Sequence, residues 1–335
     1  MPFRGGRALR EVYRRAESGG YAFMANNFSE ANTLIGLLDA YTSSRSDLLL
    51  QITPGTAGFA GGGNKAAGLR ALAAMVRALA APRPIAAFLN LDHFTAREMD
   101  LIELAIGERL ASSIMIDASL ESFEENVRIS RDVVHRAAGS GVLVEAELGK
   151  LRGVEDAIAS DDAFYTDPDE AVEFVRRTGA DLLAISIGTE HGVSKGKNIK
   201  LRLDLAREIQ AKLAGAGLSV PLVLHGSSGL LPEQVKAVIR FGVRKLNKDT
   251  HYQYVYSRTA CDFYRAHVAD IVPPEGMEDD VVNLFPGSSW SPNKKIFDPR
   301  VVGKAIQDGI RGIALALLEQ AGSGGHTVGD GEDSR

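Results

Sequence analysis

The chain has 335 residues, 45 % of them hydrophobic and 24 % charged, a balance that fits a globular protein and excludes global disorder. It contains no run of about 18 apolar residues, so no transmembrane helix is expected, and 38 basic against 43 acidic residues, a net charge of −5, argue against a broad nucleic-acid face. One cysteine, Cys261, excludes an internal disulfide and a cysteine-rich zinc module, and makes a reducing cytoplasm the expected compartment; the basic start of the chain lacks the apolar core of a secretion signal.

In chain order, short aliphatic runs alternate with longer amphipathic stretches. Strands are predicted at 21–27, 47–53, 84–92, 112–117, 141–149, 180–188, 220–226 and 243–249. Helices are predicted at 30–41 (with Ser29 as N-cap), 64–79, 96–110, 123–139, 168–178, 203–213 and 232–241, where apolar residues recur at three and four spacing. Runs such as Leu222-Val223-Leu224 and Leu182-Leu183-Ala184-Ile185 suit a parallel sheet buried on both faces. Eight strands alternating with helices predict a closed (β/α)8 TIM barrel. A doubly wound open sheet is the alternative, but the first strand ends in Ala25-Asn26-Asn27-Phe28, without a Gly-rich phosphate loop. The connection 150–167 is long and polar, as functional loops often are. Beyond the eighth strand come a helix at about 252–269, an irregular Pro/Gly/Asn-rich stretch at 273–299 and a last helix at 301–320. One barrel domain is expected over 1–320. The Gly/Ser/Asp-rich tail 321–335 reads as disordered.

Barrel enzymes carry their chemistry at the C-terminal ends of the strands. Of seven histidines, His93, His191 and His225 fall at or just after the ends of the third, sixth and seventh strands. Any one of them could be an ordinary polar residue at a strand end. Three on one rim can converge, and three imidazoles with an open position form a catalytic zinc shell. Asp92, Asp117, Glu145 and Glu147 gather on the same rim, and Glu145 and Glu147 alternate so as to share a face. Glu145 is read as orienting a histidine, Asp117 and Glu147 as able to touch a second metal position, and Asp92 as a general acid/base. Glu155 sits in the long loop. The segments His191-Gly192-Val193-Ser194-Lys195, His225-Gly226-Ser227-Ser228-Gly229 and Asn247-Lys248-Asp249-Thr250 suit a phosphate, which barrels often hold at the loops after strands seven and eight. His135 and His326 read as solvated.

With these residues placed, about 21–320 resembles the class II, metal-dependent fructose-bisphosphate aldolases. The resemblance rests on Leu91-Asp92-His93, Ile114-Met115-Ile116-Asp117, Glu145-Ala146-Glu147-Leu148-Gly149, Gly188-Thr189-Glu190-His191-Gly192, Leu224-His225-Gly226-Ser227-Ser228-Gly229 and Lys245-Leu246-Asn247-Lys248-Asp249-Thr250. The block Pro292-Asn293-Lys294-Lys295-Ile296-Phe297-Asp298-Pro299-Arg300 looks like the longer, dimeric subgroup. The resemblance implies that His93, His191 and His225 ligate a catalytic zinc, with Asp117 and Glu147 near a second divalent position. It implies that Asp92 moves the proton on the C4 oxygen and that Glu155 takes the C3 proton of dihydroxyacetone phosphate. Gly192, Gly226, Ser228, Asn247, Asp249 and Thr250 would hold the C1 phosphate, and Lys195 would help bind a monovalent cation. Lys294 and a partner-contributed Arg300 would meet the distal phosphate of a homodimer's substrate. The implied reaction is reversible cleavage of fructose 1,6-bisphosphate through a metal-stabilised enediolate, with no nucleic-acid or membrane partner. Lys245, the obvious lysine for a rival Schiff-base mechanism, reads as structural. Five departures stand out: Asn90 where the family has His, Met24 where an Asn that contacts substrate is usual, Thr53 for Ser, Arg152-Gly153-Val154 for Gly-Gly-Glu, and His251 for Asp. Met24, Asn90 and His251 motivate an alternative, an aldolase pairing dihydroxyacetone phosphate with another aldehyde. A non-catalytic binding protein that kept the site is a third reading, opposed by the intact Asp92 and Glu155.

Overall fold

The computed structural model describes residues 3–149, 165–189 and 201–329. Eight parallel strands close into a barrel in sequence order: β1 Phe23–Asn27, β2 Leu48–Ile52, β3 Ala87–Phe94, β4 Ser113–Ile116, β5 Leu143–Leu148, β6 Leu182–Ile185, β7 Leu222–Leu224 and β8 Val243–Lys248, with β8 pairing back onto β1. Every strand expected from sequence is present, most of them shorter than the apolar run that announced them. The (β/α)8 TIM barrel is the fold of this chain.

The strands alternate between two environments. On β1, Phe23 and Ala25 enter the barrel interior with Leu49, Phe88, Leu143 and Val223, while Met24 points outward into the layer of helices with Leu34, Leu37 and Leu69. The outer layer is why so many strands read as continuously apolar. Met24 is therefore a packing residue. The inward position nearest the rim on β1 is Asn27, whose side chain reaches the site described below.

Helix boundaries follow local chemistry. Helix Pro168–Thr178 begins on Asp167, whose carboxylate accepts from the Asp169 and Glu170 amides, and ends at Gly179 in the left-handed conformation. The helix expected to start after Ser29 is capped instead by Glu30, whose carboxylate accepts from the Asn32 and Thr33 amides at 2.8 and 2.5 Å. Three described helices have no counterpart in the sequence reading, the short Lys294–Phe297 within the stretch read as irregular among them. Pro54–Ala60 starts on Thr53, whose hydroxyl accepts from the Thr56 amide. Gly6–Gly19 lays Leu9, Val12, Tyr13 and Ala16 into the interior cluster and closes the N-terminal end of the barrel.

The C-terminal helix, Pro299–Ala321, packs against Ala31–Ser43. Composition suggests disorder from Ala321 onward, yet through Gly329 the chain is packed. Asp47 accepts from the Thr327 hydroxyl and the Val328 amide, the Asp47 amide donates to the His326 carbonyl, and His326 stacks on Tyr21 at 3.9 Å. A buried carboxylate at the foot of β2 supplies the anchor that composition does not reveal. No helix among the described residues is long and apolar enough to cross a membrane.

Candidate active site

At the C-terminal rim, β3 ends irregularly. Its pairing with β4 shifts register between Leu91 and Phe94, and His93 adopts a left-handed backbone conformation, φ 52°. Such a conformation costs a non-glycine residue about 1–3 kcal/mol and collects at functional sites. Here it turns the imidazole toward β4, where Nδ1 lies 2.8 Å from Asp117 Oδ2. Burial opposes charge on Asp117, but the His93 bond and two bonds from Ser119 hold its carboxyl below the usual range. An ionised carboxylate only accepts, so His93 Nδ1 is the donor.

The same logic fixes His225. Lys245 Nζ donates to Glu145 Oε2 at 2.6 Å, and His225 Nε2 lies 2.9 Å from Glu145 Oε1; all three side chains are buried. Burial alone would neutralise Glu145, but the lysine and the imidazole hold its pKa down at about 2. Nε2 is then a donor. Nδ1 is buried, without a hydrogen-bond partner among the described residues, and 3.6 Å from Glu147 Oε2. Glu145 thus orients a histidine, and Lys245 is engaged by Glu145.

The two imidazoles stand 4.7 Å apart between ring centroids, at 65°. Ligand atoms of Asp92, His93 and His225 lie within 4.8 Å of one another, as do those of His93, Asp117 and Glu147. Two imidazole rings beside these carboxylates make a donor set that suits zinc or another divalent ion. The orphaned Nδ1 of His225 is an observation that independently fits a metal ligand.

Asp92 is buried and held on both oxygens: Asn247 Nδ2 donates to Oδ1 at 3.0 Å and Asn27 Nδ2 to Oδ2 at 3.1 Å. The carboxylate is thereby fixed beside the two histidines. Behind Asn247, the ends of β7 and β8 are stitched together. Gly226, in a left-handed conformation, starts the turn Ser227–Gly229; the Ser227 hydroxyl donates to the Asn247 carbonyl, and buried Lys248 donates to the Ser227 carbonyl at 2.6 Å. Burial pushes the Lys248 amine down to about 7, and burial with the nearby Asp92 charge pushes Asp249 up to about 6. Thr250 opens the helix Thr250–Ala266, whose N-cap Asp249 makes no side-chain capping bond. Among the described residues, Thr189 Oγ1 and Asn247 Oδ1 are buried without partners.

Several candidates from sequence are therefore gathered on one rim: Asp92, His93, Asp117, Glu147, His225, Gly226, Ser228, Asn247, Asp249 and Thr250. Lys294 and Arg300 are not joined to them. Arg300 is 87 % exposed and forked onto Asp298, and Lys294 is exposed at the start of the short helix Lys294–Phe297. Glu155, His191, Gly192 and Lys195 lie outside the described residues. Sequence reasoning passed over Asn27 and Gln51. The available signal was the two-residue alternation that puts Asn27 on the face of Phe23 and Ala25, and the single polar residue in the run Leu48–Ile52.

Comparisons with known proteins agree with this geometry. A family model of class-II fructose-bisphosphate aldolases matches residues 7–326. A fructose-bisphosphate aldolase of Thermus caldophilus is 37 % identical over 271 residues, 74 % of this chain and 84 % of that protein. One from Mycobacterium leprae is 32 % identical over 327 residues, 90 % and 91 % of the two chains. Among solved structures, the fructose-bisphosphate aldolase of Campylobacter jejuni superposes with a TM-score of 0.81 at 25 % identity, covering 96 % of each chain. A match along nearly the whole barrel, with the rim residues converging, makes this chain an enzyme, a lyase of the class II fructose-bisphosphate aldolase family.

Proposed function

We propose that the enzyme reversibly cleaves fructose 1,6-bisphosphate to dihydroxyacetone phosphate and glyceraldehyde 3-phosphate, with zinc as its metal. The observation that carries this reading is the Asp92 carboxylate, clamped between Asn27 and Asn247 beside the inward-facing His93 and His225. A bound zinc supplies Lewis acidity toward a ketone oxygen. His93, His225 and, from sequence, His191 would hold it. Asp117 and Glu147 would offer a second divalent position, and Lys195 a monovalent one.

The chain's own residues then have distinct tasks. Asp92 holds and moves the proton on the C4 oxygen, fixed for this by two amides. Glu155 exchanges the C3 proton. Gly192, Gly226, Ser228, Asn247, Asp249 and Thr250 receive the C1 phosphate, where backbone amides after β7 and the start of Thr250–Ala266 favour an anion. Lys248, drawn beneath the Ser227–Gly229 turn, adds a buried amine donor to that side.

A homodimer in the cytoplasm is part of this reading. Among the described residues, Arg300 and Lys294 are not joined to the rim cluster, which fits delivery to a partner's distal phosphate. The same observation supports the second reading, an aldolase that pairs dihydroxyacetone phosphate with a different aldehyde. The deciding test is cleavage of fructose 1,6-bisphosphate by purified protein, before and after chelation and after zinc return. Chelator-sensitive, zinc-restored cleavage is expected. Absence of cleavage by zinc-loaded protein, with activity on another ketose phosphate, would replace the first reading by the second.

A further inference from the structure

Inside the barrel, directly below the rim, β1 to β4 present four polar side chains at mutually paired positions. Asn27 pairs with Gln51, Gln51 with Asn90, and Asn90 with Ser113. Barrel layers are ordinarily filled with branched apolar side chains, and a buried amide is costly unless its polar atoms are used. Here they are joined end to end. The Ser113 hydroxyl donates to Asn90 Oδ1 at 2.6 Å, Asn90 Nδ2 to Gln51 Oε1 at 3.0 Å, Gln51 Nε2 to Asn27 Oδ1 at 2.9 Å, and Asn27 Nδ2 to Asp92 Oδ2 at 3.1 Å. All five residues are buried.

The direction of this chain is set by its end. A carboxylate only accepts, so Asn27 must turn its amide nitrogen to Asp92 and its oxygen to Gln51. Gln51 must then turn its oxygen to Asn90, and Asn90 its oxygen to the one hydroxyl available, Ser113. No amide in the row can flip without breaking two bonds. Aligned hydrogen bonds of this kind polarise one another in a low-dielectric interior.

We propose that Ser113, Asn90 and Gln51 are positioning residues that act through Asn27 to hold the Asp92 carboxylate in one rotamer. The proposal rests on the reading of Asp92 as the group that handles the C4 oxygen. The row ends on Asp92 alone, and the other oxygen of that carboxylate is tied by Asn247 to the segment proposed for phosphate. A relay begun on β4 and a clamp from β8 therefore meet on one carboxylate.

The test uses zinc-loaded, full-length protein and the variants Asn90→Leu and Ser113→Ala, alone and with Asp92→Ala. Asn90→Leu is expected to lower kcat by about 10- to 100-fold, the cost of a misplaced catalytic group, while KM changes by less than about twofold. In the Asp92→Ala background the same change should have no further effect on kcat, because the two residues act as one unit. Ser113→Ala removes only the first donor, so it remains informative if Asn90→Leu folds poorly. Nitrogen-15 spectra of the side-chain amides give a readout independent of turnover: Ser113→Ala should shift the Gln51 and Asn27 signals as well as that of Asn90. An equal kcat loss with and without Asp92, or an Asn27 signal untouched by Ser113→Ala, would overturn the relay and leave these residues a packing role. Failure of the unaltered protein to cleave any ketose phosphate would instead sink the aldolase substrate reading, and the amide spectra would still decide the relay.

Discussion

Glu145 makes two bonds at once, accepting from Lys245 on one oxygen and from His225 on the other. Neither bond is exposed, so removing one partner leaves a charge buried without compensation, a change that costs about 3–5 kcal/mol. Lys245→Met should therefore destabilise the fold by that order in urea titrations and, by freeing the His225 ring, weaken zinc binding by about 10- to 100-fold. Trapping with borohydride in the presence of substrate should leave the enzyme unmodified, since the Lys245 amine is buried and bonded to Glu145; a reduced adduct on Lys245 would contradict that role. A second expectation follows from His225 itself. Burial opposes its charge, but the carboxylates of Glu147 and Glu145 outweigh burial and push the metal-free imidazole up to about 10, from an ordinary 6.5. A raised folded pKa gives stability that is complete below the unfolded value and is lost as pH rises through the folded one. Bound metal takes the place of that proton. The melting temperature of chelated protein should fall between about pH 6.5 and 10, and that of zinc-loaded protein should hold steadier. A rise for chelated protein across that window would refute the assignment.

At the scale of elements, the helix Gly6–Gly19 decides how the barrel is closed at the end remote from the site. Gly6 sits so close to the foot of β5 that an added Cβ would lie 2.2 Å from the Gly141 carbonyl oxygen and 2.7 Å from that of Ser112. Gly6→Ala must shift the helix off the barrel. A cost of about 1–3 kcal/mol is expected, read by urea denaturation, with kcat unchanged because the chemistry is at the opposite rim. A variant of unaltered stability would show that the helix does not seal the barrel. This helix also marks where the sequence stops being legible. The eight strands were readable because each is an aliphatic run between turn residues, and Asp92, His93, Asp117, Glu147 and His225 because they stand at the ends of those runs. Helix Gly6–Gly19 carries four arginines on its exposed side, and its apolar residues 9, 12, 13 and 16 are too few to announce a plug. Pro54–Ala60 was hidden by its two glycines. Asn27, Gln51 and Asn90 look like lone polar residues in sequence, and only strand register turns them into a row. The packed stretch 322–329 depends on Asp47, nearly three hundred residues away, which composition cannot express.

For the whole molecule, the uneven distribution of exposed apolar surface matters most. Of the eleven large hydrophobic residues that are exposed among the described residues, eight lie between Tyr254 and Phe297, with Val282 at 90 % and Leu284 at 61 %. The segment is not loose. Trp290 donates to the Ala269 carbonyl and packs edge-on against Phe285, and Asn293 bonds Asp270 through both backbone and side chain. An apolar concentration on a braced arm is what an interface between subunits requires. Arg300 and Lys294 belong to the same arm, so docking it on a second copy would also carry them away from their own barrel. Mass and catalysis are thus expected to change together. Light scattering should give twice the 35.8 kDa of one chain, and the double change Val282→Asp with Leu284→Asp, which buries charges in any interface there, should give the single-chain mass. The monomer should keep its zinc and its helical content, since neither residue touches the core, but its KM for fructose 1,6-bisphosphate should rise about tenfold or more as a charged phosphate contact is lost. A monomeric variant with unaltered KM would separate Arg300 from the distal phosphate. A native protein that already runs as a single chain would remove the dimer altogether and leave the acceptor aldehyde to be met by groups of the chain's own rim.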